Sequence, residues 1–107
     1  MTGRVPPHRF SADEIERALA SLPGWTLDGD AIIREFRLPD FAAAIAVVVR
    51  IGFLAESADH HPDIDIRWRT VTIRLTTHEC HGLSQRDFAL AAAIDAASGA
   101  GANGGQR

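Results

Sequence analysis

The stretch DIDIRWRTVTIRL, residues 63–75, decides the fold. Ile64, Ile66 and Trp68 alternate in even phase, whereas Val71, Ile73 and Leu75 alternate in odd phase. Strand side chains change face at every residue, so one regular strand cannot keep a single inner face through that slip. Two antiparallel strands, 63–68 and 71–77, joined by a tight turn near Arg69-Thr70, reconcile the phases; one long strand bulged there is the alternative. Trp68 is then expected to point inward and pack in the core. In both readings Thr77-His78 falls at a strand end.

Working backwards, FAAAIAVVVRIGFLA (41–55) follows Pro39-Asp40, a helix-opening pair, and its apolar side chains occupy nearly the whole circumference. It falls short of the roughly 18 residues of a membrane span and contains Arg50, so it is expected to be a buried helix covered on two sides. No membrane association is expected. Before it, WTLDGDAIIREFRL (25–38) reads as a hairpin: Trp25 and Leu27 inward, Asp28-Gly29 in the turn, and Ile32, Phe36 and Leu38 on the return strand, with Arg34 interrupting the pattern. Further back, SADEIERALASLPG (11–24) has Ser11 as N-cap with Glu14 three positions on, and Ile15, Ala18, Leu19 and Leu22 on one face, before Pro23-Gly24 ends the helix. Residues 1–10, with two prolines and no periodicity, form an N-terminal arm.

Working forwards, Gly82-Leu83-Ser84 leads into a third helix, with Ser84 as N-cap, Asp87 at the third helical position, and Phe88, Ala91, Ala92 and Ile94 on the buried side. Residues 98–107, glycine-rich, are expected to form a flexible tail. One domain over residues 11–97 follows, in the order αββαββα: an α+β fold with three helices packed on one face of a four-stranded antiparallel sheet.

Composition narrows the function. The chain of 107 residues has net charge −3 and 11 scattered basic residues, which disfavours direct nucleic-acid binding. The single Cys80 excludes an intrachain disulfide framework and a four-cysteine zinc site. MTGRVPPHRF lacks a signal peptide's apolar core, and a reducing cytoplasm is the expected location.

The informative cluster is histidine. Four of the five, His60, His61, His78 and His81, fall within 22 residues at two element boundaries. The residue before a proline is pushed out of helical conformation, so ADHHP places His61 outside the helix and His60 in its last turn. There the helix terminus favours a protonated ring, and imidazoles around one pocket supply a general acid and a general base at neutral pH. Glu56, one turn before His60, is placed to orient that ring. Asp87 either completes the cap with Ser84 or touches a ligand. Zinc on several imidazoles is the rival reading, but neither HExxH nor a cysteine pair accompanies them, and adjacent histidines chelate one ion poorly; no metal is expected. Cys80 and His81 read as loop residues.

Taken together, Glu56, His60-His61-Pro62, Trp68, His78 and Asp87 resemble the signature of the pterin-4a-carbinolamine dehydratase family: an acid, three residues, His-His-Pro, an aromatic after five, His after nine, Asp after eight. AESADHHPDI, LTTHECHGLS and SQRDFALAAAID are similar to family segments as well. His81 lies outside the signature. The resemblance implies a cofactor-free cytoplasmic lyase that dehydrates 4a-hydroxytetrahydrobiopterin for recycling of tetrahydrobiopterin, and a homodimer or homotetramer joined through sheet edges. By position it makes His60 and His78 the acid and base candidates, His61 a substrate-binding residue, and Glu56, Pro62, Trp68 and Asp87 binding or orienting residues. A coactivator-type binding module, or action on another pterin as in molybdopterin metabolism, are the other functions it leaves open.

Overall fold

The computed structural model of the chain describes residues 5–98. It contains α1 (Ala12–Ala20), β1 (Thr26–Asp28), β2 (Ala31–Arg37), α2 (Phe41–Ala58), β3 (Asp63–Arg67), β4 (Thr70–Leu75), a 3-10 turn (His78–Cys80) and α3 (Gln85–Ser98). The strands form one antiparallel sheet in the order β1-β2-β4-β3. The expected αββαββα architecture is thus present. Of the expected tail, residues 99–107 lie outside the described residues, as do residues 1–4 of the arm.

The phase slip resolves as a hairpin. Arg67 pairs with Thr70, so the loop is Trp68-Arg69, and Ile66 lies opposite Val71 and Ile64 opposite Ile73. Paired residues share a face, so even positions on β3 match odd positions on β4. On the other side of β4, Ile32 faces Leu75 and Phe36 faces Val71. Val71, Ile73, Leu75 and Ile32 are fully buried beneath the helices. Trp68, however, does not enter the core: it is 69% exposed, with φ +53, at the loop itself. The chain reverses one residue earlier than the alternation implies, and the left-handed conformation turns this side chain out over Arg69, whose guanidinium lies 4.9 Å from its ring.

The β1-β2 loop is Gly29-Asp30, with Gly29 at φ +61, one residue later than expected. Trp25 is buried. Leu27 shares the inner face with Ile32 yet is half exposed, because β1 is an edge strand with little over it. Arg34 interrupts the pattern for a reason: on the inner face opposite Ile73, it reaches Asp95 Oδ1 on α3 at 3.3 Å, and Trp25 Nε1 donates to the same oxygen at 3.0 Å. Gly24 makes room for this, since a Cβ there would collide with the Arg34 guanidinium.

The helices are capped as their sequences imply. Ser11 and Glu14 form a reciprocal capping box on α1, and Asp40 Oδ1 accepts from the Ala43 N–H at 2.8 Å on α2. The arm is held to the domain: Phe10 donates its N–H to Leu83 O at 2.7 Å and stacks on Phe88 with ring centroids 5.4 Å apart.

Two expectations about the helices change. On α3, Ala92 is exposed and the buried set is Asp87, Phe88, Leu90, Ala91, Ile94 and Asp95, because Ala92 lies one residue round from the face that Ala91, Ile94 and Asp95 define. Helix α2 is not a buried helix in the single chain. Only Ala44, Ile51 and Ala55 are buried, while Phe41, Ile45, Val49 and Phe53 form an exposed stripe at four-residue spacing. Running on through Glu56, Ser57 and Ala58 to 18 residues, α2 is long and apolar enough, by length and composition alone, to cross a membrane. Its buried residues nevertheless belong to the same core cluster as Val71, Ile73 and Ile94.

Candidate functional site

The site begins where α2 ends. Asp59 adopts the left-handed conformation at φ 52, its N–H bonds Glu56 O at 3.2 Å, and the His60 N–H reaches back to Ala55 O at 3.1 Å. That paired closure is a Schellman motif, and Pro62 then prevents any return to helix. His60 therefore sits just beyond the helix rather than in its last turn. Its side chain turns inward, and Nε2 lies 2.7 Å from Asp87 Oδ1 on α3. The expected Glu56–His60 pair does not form, since spacing of four aligns side chains only while the helix continues. Glu56 instead meets His61 Nε2 at 2.9 Å in an exposed pair.

Of the two roles expected for Asp87, the structure shows the cap. Asp87 is fully buried, and its Oδ2 accepts from the Ser84 N–H at 2.9 Å, completing the cap at the start of α3. Ser84 Oγ accepts from the Arg86 N–H at 3.2 Å. Oδ2 also receives the Thr77 hydroxyl at 2.6 Å. Asp87 is enclosed and does not line the cleft; of the groups it bonds, His60 does.

The third imidazole comes from the end of β4. The Thr77 N–H bonds Gly82 O at 2.8 Å, and the loop between them folds into the 3-10 turn that carries His78 to the surface. His60, His61 and His78 then line one surface cleft of about 180 Å³ together with Asp59, Thr76 and Glu79. Two chain segments joined by the β3-β4 hairpin thus bring three of the four clustered histidines together. Glu56 borders this group through His61; Pro62 and Trp68 do not line the cleft, and neither do Cys80 and His81.

Asp59, Thr76 and Glu79 were not picked out by sequence reasoning, nor was the Thr77 contribution. A signal for Thr77 existed: it continues the inward phase of Val71, Ile73 and Leu75, a hydroxyl at a core position. His60 also lines a larger apolar groove of about 350 Å³ between α2 and α3, with Leu54, Ala58, Arg86 and Leu90. Acid–base groups converge only on the smaller cleft, which makes it the better candidate for chemistry.

Chemically, the cleft offers one buried imidazole with a fixed ring and two exposed ones beside a carboxylate, groups suited to exchanging protons with a bound molecule. Among the described residues, no three His, Cys, Asp or Glu side chains are grouped so as to hold a metal ion.

The chain is similar to known proteins of one family. The family profile described as Pterin 4 alpha carbinolamine dehydratase matches residues 8–97. A protein of Roseiflexus sp. (strain RS-1), provisionally named pterin-4-alpha-carbinolamine dehydratase, is 59% identical over 87 residues, 81% of this chain and 94% of the relative. A Mycobacteroides abscessus protein with the same provisional name is 54% identical over 83 residues, 78% of this chain and 88% of its own. A crystal structure of a transcriptional coactivator/pterin dehydratase from Brucella melitensis superposes with a TM-score of 0.82 at 33% identity, covering 86% of this chain and all 100% of the other.

Proposed function

The chain belongs to the pterin 4 alpha carbinolamine dehydratase family, and from that membership we propose that it is a hydro-lyase converting 4a-hydroxytetrahydrobiopterin to quinonoid dihydropterin and water, in support of tetrahydrobiopterin recycling. The observation that carries the reading is the convergence of His60, His61 and His78 on one cleft.

The reaction is an elimination without redox change, so it needs a proton donor to the departing C4a hydroxyl and an acceptor for the N5 proton. His60 and His78 are the acid–base pair. His60, tied at Nε2 to Asp87, has Nδ1 left for the substrate, while His61, held by Glu56, binds it. At about 180 Å³ the cleft is smaller than the roughly 300–1,000 Å³ usual for ligand pockets. The flat ring therefore enters by its reacting edge and leaves its side chain outside.

Chemically generated 4a-hydroxytetrahydropterin provides the test. The protein accelerates the absorbance change of dehydration, and His60→Ala or His78→Ala lowers kcat by about 10²–10⁴-fold. Wild-type rates in both variants would contradict the proposal.

The active species is a homodimer or homotetramer in this reading. The exposed stripe Phe41, Ile45, Val49 and Phe53 and the edge strand β3, with Ile64 and Ile66 partly uncovered, support a second copy as the partner. Light scattering reads this directly, and Phe53→Lys shifts the assembly towards smaller species. A binding-module role has one supporting observation, the same α2 stripe; a variant that binds no second copy yet keeps full dehydratase activity would free that face for such a role.

A further inference from the structure

Behind His60 lies a buried hydroxyl relay that the acid–base reading does not itself require. Thr77, Ser84 and Asp87 are each completely buried. Thr77 Oγ1 donates to Asp87 Oδ2 at 2.6 Å, which uses its only proton, so in the 2.8 Å contact between Thr77 Oγ1 and Ser84 Oγ it is Ser84 that donates. Ser84 Oγ in turn accepts from the Arg86 N–H, and the Ser84 N–H donates to Asp87 Oδ2. Every hydrogen in this chain points towards Asp87. An ionised carboxylate accepts at both oxygens, so with Asp87 ionised the remaining contact, 2.7 Å from Oδ1 to His60 Nε2, has His60 as the donor. A ring whose Nε2 must carry a proton presents Nδ1 as its variable atom.

We propose that Thr77 and Ser84 are positioning residues that, by directing Asp87, fix His60 in the Nε2–H form with Nδ1 available for proton exchange. This rests on the reading of His60 as an acid–base residue, but its structural half stands apart from any activity. The relay also links the two chain segments of the cleft, because Thr77 directly precedes His78 and Asp87 bonds both Thr77 and His60. One network therefore sets the orientation of His60 and anchors the backbone from which His78 projects.

The test uses the full chain, labelled with ¹⁵N, and long-range ¹H–¹⁵N correlation of the imidazoles at neutral pH without substrate. His60 shows the Nε2-protonated pattern in the wild type. In Thr77→Val, which keeps the shape and removes the hydroxyl, that preference is lost and kcat falls about tenfold with KM changed less than about twofold, a fraction of a full acid–base contribution. Thr77→Ser restores both readouts. Should Thr77→Val fail to fold, Ser84→Ala, which retains the backbone donor to Asp87, gives a smaller change of the same sign. A wild-type His60 protonated at Nδ1, or an unchanged tautomer and kcat in the folded variants, would overturn the proposal. If the tautomer shifts as stated in a protein without dehydratase activity, the relay stands and the proposed function is what fails.

Discussion

Helices α2 and α3 lie side by side and invert the usual relation between apolarity and burial. Helix α2 is apolar around almost its whole circumference, yet in the single chain it buries only Ala44, Ile51 and Ala55. Helix α3 is less uniformly apolar, yet it buries six residues, two of them aspartates. Beside its apolar core residues, α3 buries its aspartates on polar partners: Asp95 holds Trp25 and Arg34, and Asp87 holds His60, Thr77 and Ser84. The more hydrophobic helix thus carries the exposed surface, and the more polar one carries the specific interior.

The contrast is broken most severely at Asp95. Asp95→Ala leaves a partly buried guanidinium and an indole N–H without their acceptor, and breaking such a pair costs about 3–5 kcal/mol, read as a lowered denaturant midpoint. Next comes a matched pair of truncations. Ile94→Ala on α3 removes a fully buried side chain and lowers stability by about 2–5 kcal/mol, whereas Val49→Ala on the α2 stripe stays within about 0.5 kcal/mol for the isolated chain. Equal losses in the monomeric protein would mean that the α2 stripe is covered within its own chain and that the contrast is false.

Smaller effects sit at α1. Ser11→Ala removes the side-chain half of a capping box, and the loss is about 1 kcal/mol by chemical denaturation. The Ser11 N–H, with His8 adding a side-chain bond, holds the Glu14 carboxyl below the ordinary value of 4.5. A carboxyl depressed in the folded state stabilises it above the unfolded pKa, and that contribution disappears as pH falls through the folded pKa. Acid titration of Glu14→Gln therefore shows a slightly shallower loss of stability below pH 4.5 than the wild type. An identical slope would remove Glu14 from the acid response.

The sequence was most legible where chemistry is local. The two-residue loop at Trp68-Arg69 shows as a change of parity, and the caps at Ser11, Asp40 and Ser84 show as residue types at fixed offsets. It was least legible where a single dihedral angle redirects the chain. Asp59 takes a left-handed conformation that glycine would have advertised, and that one residue moves His60 from Glu56 to Asp87. Trp68 escapes alternation for the same reason. The triad of Trp25, Arg34 and Asp95 spans up to 70 positions; its trace was an arginine at an inward strand position, which had to find an acid. Clustering of His60, His61, His78 and His81 was readable from spacing and the family resemblance singled out the first three, while the identity of their carboxylate partners depended on that turn.

In the proposed reaction three imidazoles from two chain segments address one planar substrate. A crystal structure with a bound dihydropterin tests it most directly. The C4a–N5 edge of the ring is expected in the cleft of His60, His61 and His78, with imidazole nitrogens of His60 and His78 within about 2.6–3.2 Å of those positions or one water away. A pterin seated instead in the α2–α3 groove, or with that edge turned away from both rings, would contradict it.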